Sequence, residues 1–165
     1  DHRMKLRRTL RRGDSILEII IASALIVIGL VSILSLATRS QKTSDFSRDN
    51  NHATNYSYEA NDWLRDMRNI LGFDTLAYYL SEDSLANDTT YCLNSTLPTT
   101  EIDFEALDYG ECASGDTITD SVFSREISLD LSNLASDYIT GIITTSWEGN
   151  TTHTNILEIK LTKWQ

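Results

Sequence analysis

The chain predicts an α+β fold, in which a long N-terminal α-helix, with a transmembrane half and an amphipathic half, packs on a C-terminal antiparallel β-sheet. Three observations carry this. Residues 14–71 contain no proline and are followed at once by Gly72; apolar side chains recur every seven positions between residues 46 and 70; and three stretches after residue 121 are rich in strand-forming or alternating residues. A length of 165 residues, with one proline and seven glycines, suits one small folded head plus an accessory segment.

The helix begins with a charge asymmetry. Residues 1–13 hold six Arg or Lys against one Asp, whereas the rest of the chain holds eight basic and 23 acidic residues within a net charge of −10. Residues 19–38 carry no charge at all, and 20 helical positions span roughly 30 Å, the thickness of a hydrocarbon core. Ile, Leu and Val lie on every face of this run, which favours a membrane span over a buried core helix. Arg3, Lys5, Arg7, Arg8, Arg11 and Arg12 precede it, so the positive-inside rule predicts a single pass through the cytoplasmic membrane, a cytoplasmic N-terminus and an extracytoplasmic head. The acidic head would repel phosphate surfaces, and no nucleic-acid contact is predicted.

Past the span, Phe46, Ala53, Ala60 and Met67 form one heptad series and Tyr56, Trp63 and Ile70 a second. Asp49 interrupts a coiled-coil seam, so the stripe is expected to cover a sheet, with Arg65 facing outward. Gly72 suits a left-handed C-cap, which ends a helix of 58 residues, roughly 87 Å long, at Leu71.

Residues 73–120 read as a variable connection with one short helix and one strand around Cys92. Glu101, Asp103, Glu105, Asp108, Glu111, Asp116 and Asp120 occur there without an intervening Lys or Arg, but their spacing matches no EF-hand, so a solvated acidic loop is expected over a calcium site. Because an extracytoplasmic compartment is oxidising, Cys92 and Cys112 are predicted to be bridged.

The segments VFSREISLDL, YITGIITTSW and NILEIKLTKW then predict three consecutive antiparallel strands, with Glu148-Gly149-Asn150 as the last turn. In the final strand Leu157, Ile159, Leu161 and Lys163 should meet the core, and Ile156, Glu158, Lys160 and Thr162 should face away. His2, His52 and His153 are scattered, and no nucleophile elbow, phosphate loop or metal-spaced His/Cys set is present. No enzyme activity, cofactor or metal is predicted.

The segment RRGDSILEIII resembles the class III signal of type IV prepilins and type II secretion pseudopilins. In that family a basic leader ends in Gly, a peptidase cuts after it, and a Glu stands fifth in the mature chain; Gly13, Asp14 and Glu18 occupy these places. FSREISL and the paired TTSW and LTKW strands also look like the C-terminal sheet of minor pilins. The resemblance implies residues 1–13 as a cleaved leader, 14–38 as the span and assembly helix, 39–71 as its amphipathic continuation and 72–165 as the head. If Met4 is the start, the leader has ten residues. The implied function is a structural subunit of a type IV pilus or a type II secretion pseudopilus, a minor pilin or pseudopilin in particular. The implied partners are a prepilin peptidase that also methylates the new N-terminus, other pilin subunits, a pilus platform protein and an assembly ATPase. Asp14 departs from the Phe usual after the cut, and the helix lacks the proline that kinks many pilins. The alternatives are a secreted binding domain cleaved after Ala37 and a permanently anchored single-span receptor.

Overall fold

The computed structural model describes residues 14–82, 88–100, 104, 107, 109–149 and 151–163. Helix α1 spans Asp14–Leu71, and the chain divides within it, between Ser47 and Arg48, into two compact units. In the first unit every described side chain from residue 16 to 47 is exposed. Its apolar stretch contains an 18-residue window of mean hydropathy 2.9, none of it buried, and is long and apolar enough to cross a membrane.

The second unit holds the rest of α1, α2 (Phe73–Glu82), β1 (Asp88–Cys92), β2 (Phe123–Asp130), β3 (Tyr138–Glu148) and β4 (Thr152–Thr162). The four strands form an antiparallel meander in the order β1-β2-β3-β4. One row of the register runs Tyr91, Ile127, Ile143, Leu157 across the sheet, which sets four apolar side chains side by side on one face. Against that face α1 places Ala60, Leu64 and Met67, while α2 adds Leu76 and Leu80. A smaller cluster of Ala53, Phe123 and Trp147 closes the other end. The protein is therefore α+β, with a long N-terminal helix packed on an antiparallel sheet.

Gly72 ends α1 as expected: its φ is +82°, and its N–H donates to Arg68 O at 2.9 Å. Its carbonyl then accepts from Leu76 N at 3.1 Å and starts α2. In β4, Leu161 is buried, Leu157 and Ile159 are half-buried against the core, and Ile156 is exposed, in line with the period-two reading. Lys163 departs from that reading: it lies past the strand and pairs with Asp74 at 2.7 Å.

The helical stripe needs correction. Ala53, Ala60, Trp63 and Met67 are buried and Tyr56 is half-buried, but Phe46 and Ile70 are 47 % and 60 % exposed, and Arg65 is half-buried rather than outward-facing. The inward line runs Ala53, Ser57, Ala60, Leu64, Met67 in alternating steps of four and three residues, so the heptad series through Ala53, Ala60 and Met67 holds in its middle, joined by Ser57 and Leu64, and fails only at its ends. Ser57 is tolerated inside because its hydroxyl lies 3.0 Å from Ala53 O, 2.9 Å from Thr145 Oγ1 and 3.2 Å from Asn155 Oδ1.

Candidate functional site

α1 starts at Asp14, and Glu18 stands four residues on, an exposed carboxylate among Ile16, Leu17, Ile19 and Ile20, each 60–64 % exposed. Gly13 and the basic residues before it lie outside the described residues, so only the helical side of the Gly13–Asp14 bond is on view. Three of the four hydroxyls in the apolar run bond back to the helix: Ser23 donates to Ile20 O at 2.9 Å, Ser32 to Ile28 O at 2.8 Å and Thr38 to Leu34 O at 2.9 Å, whereas Ser35 makes no such bond among the described residues. Each of these three bonds satisfies a hydroxyl that would otherwise face hydrocarbon unpaired. Glu18 is the one charged residue between positions 16 and 38.

The head carries a second polar constellation, which the sequence reading missed. Arg125 is 2 % exposed on the core face of β2. Its Nε and Nη2 donate to Leu93 O at 3.2 and 3.0 Å, and its Nη1 donates to Tyr56 O at 3.0 Å and to Glu59 Oε2 at 2.9 Å. Burial pushes the guanidinium below its usual pKa and the Glu59 carboxylate works against that. A single side chain thereby fastens α1 to the segment after β1. The signal was present in the sequence, since Phe123, Arg125, Ile127 and Leu129 share one face by alternation, and a cation on that face needs acceptors.

Cys92 and Cys112 form a disulfide, as predicted, and it adjoins this clamp. Asn94 Oδ1 accepts from Arg125 N at 2.7 Å, while Asn94 Nδ2 lies 2.9 Å from Asp116 O, 3.1 Å from Ser124 Oγ and 3.2 Å from Cys112 Sγ. Glu126 Oε1 accepts from Cys112 N at 2.7 Å. Disulfide, Asn94 and Arg125 thus act as one brace between the connecting region and the helix–sheet core. Glu101, Asp103, Glu105 and Asp108 of the acidic stretch lie outside the described residues. Among the described residues no group of three or more His, Cys, Asp or Glu is placed to hold a metal ion.

No family model, curated protein or solved structure matches the chain.

Proposed function

We propose that the chain is a structural subunit of a type IV pilus or a type II secretion pseudopilus, made as a membrane-inserted precursor, cleaved after Gly13 and assembled through α1. The observation that carries this reading is the placing of one carboxylate, Glu18, in the opening turns of a fully exposed apolar helix whose later half covers an antiparallel sheet. A lone carboxylate inside hydrocarbon costs about 2.5–3.5 kcal/mol on lenient scales, and less near the interface, so its presence calls for a partner at the same depth. Cleavage after Gly13 supplies one, the amine of Asp14. In a staggered bundle Glu18 of an incoming subunit meets the amine of its neighbour, and a paired charge away from water costs far less than a lone one. The penalty on the isolated subunit becomes a register signal for assembly. A minor pilin or pseudopilin is the finer assignment, with a prepilin peptidase, other pilins and a membrane platform protein as partners.

N-terminal sequencing of the exported protein tests the reading. A mature chain that starts at Asp14, and a Gly13→Leu variant that accumulates as uncleaved precursor on a gel, are the expected results. A start at Thr38 means an ordinary signal sequence and a secreted binding domain, and overturns the proposal.

A further inference from the structure

Beside the core, α1 and the chain around Pro98 enclose a groove of about 560 Å³. Trp63, Met67, Ile70, Leu97 and Pro98 give it an apolar floor, held in place by the Trp63 Nε1 donation to Pro98 O at 2.7 Å. Glu59, Asp62 and Asp66 form its rim along one helix face. Glu59 is committed to Arg125, whereas neither Asp62 nor Asp66 has a side-chain partner among the described residues. Ile70 is 60 % exposed at one end. An apolar floor with an unneutralised acidic rim fits a helix that presents one apolar side chain flanked by cations.

The same chain carries such a helix face. Arg39, Lys42 and Phe46 stand at i, i+3 and i+7, within about 60° of one another around α1. All three are exposed, Phe46 by 47 %, and neither Arg39 nor Lys42 has a side-chain partner among the described residues. We propose that the groove docks the Arg39–Lys42–Phe46 face of a second copy of this chain. A parallel copy displaced by about 23 to 24 residues, roughly 35 Å along the axis, sets Phe46 beside Ile70, Lys42 beside Asp66 and Arg39 within one residue of level with Asp62. Phe46 is then covered, and the two free carboxylates gain the two free cations. The contact rests on the filament reading for its biological setting and names one surface that the filament would use, distinct from the Glu18 contact.

Trans cross-linking in membranes tests it with the full chain. Two differently tagged copies are co-expressed, one Phe46→Cys and one Ile70→Cys; both positions are exposed and the native cysteines are already bridged. A disulfide-linked heterodimer is expected. It should fall at least tenfold when Arg39→Glu and Lys42→Glu are added to the first copy, and return when Asp62→Lys and Asp66→Lys are added to the second. Copies that are cut after Gly13 and assemble, yet give no such dimer, overturn this contact and leave the filament reading standing; the same holds if the dimer ignores the charge reversals. A charge-dependent dimer from copies that are never cut after Gly13 upholds the contact and removes the filament.

Discussion

Arg125, on the second strand of the sheet, reaches Glu59, 66 residues earlier on the long helix, at 2.9 Å, with the guanidinium buried and the carboxylate side chain 59 % exposed. The asymmetry fixes what each residue is worth. Removing Arg125 takes both side-chain donors from the Leu93 carbonyl and leaves a core gap, so Arg125→Met should destabilise the head by about 3 kcal/mol. Glu59→Gln keeps an acceptor at a partly solvated site and should cost less than about 1 kcal/mol. Chemical unfolding of the full chain in detergent, followed by tryptophan fluorescence, separates the two; equal losses would mean that the ion pair rather than the carbonyl bonds holds the clamp.

The helix stripe gives a second contrast. Leu64→Ala, at 1 % exposure, and Trp63→Ala, at 7 %, should each cost about 2–5 kcal/mol, as large-to-small core changes do. Ile70→Ala and Phe46→Ala should fall within about 0.5 kcal/mol of the parent in the isolated subunit, because both side chains are largely exposed there. Midpoint shifts in the same unfolding assay report all four.

Gly141 sits in the middle of the third strand, where an added Cβ would lie 2.6 Å from Leu129 Cδ2 and 2.7 Å from Ser128 O. Leu129 can shift but the strand backbone cannot, so Gly141→Ala should destabilise by about 1–3 kcal/mol. A neutral outcome would show that the second and third strands can spread locally.

The Cys92–Cys112 bridge closes a loop of sequence separation 20, and replacing both residues by Ser should remove about 3 kcal/mol. Because the Asn94 bond to Asp116 O and the Glu126 bond to the residue-112 N–H do not depend on the bridge, the variant head should still fold, with an earlier unfolding midpoint and greater protease sensitivity around residues 109–118.

Glu18→Ala tests assembly apart from stability. The variant should be inserted and processed as the parent is, yet co-purify with partner subunits at least tenfold less, whereas Glu158→Ala, on an exposed position of the last strand, should co-purify normally. Full incorporation of Glu18→Ala would remove the role given to this carboxylate.

Much of this architecture was legible from periodicity. Gly72, the three C-terminal strands and the inward set of the last strand follow from local rules, because a strand alternates at every residue and a helix stop needs only one glycine. The ends of the helical stripe were not legible. Heptad spacing places Phe46 and Ile70 in line with buried neighbours, but burial ends where the covering sheet and the chain around Pro98 end, and that is decided by tertiary structure. Ser57 was passed over as polar because its partners, Thr145 and Asn155, lie 88 and 98 residues away. Arg125 was readable by alternation, but its acceptors come from two other segments that the sequence does not bring together.

The polar positions of the long helix are answered by the last strand. Thr54 accepts from Asn155, 101 residues later, and Arg68 donates to the carbonyl of Thr162, 94 residues later. During synthesis the helix is therefore complete long before its partners exist, and the sheet, a meander of successive neighbours, can grow strand by strand towards it. These last contacts wait for the C-terminal hairpin and close a chain segment of about 100 residues, whose entropic cost grows only slowly with length. A polypeptide interrupted before Thr152 keeps Ala53, Ala60 and Met67 without their full cover, so a truncated chain should be cut by proteases more readily than the whole one.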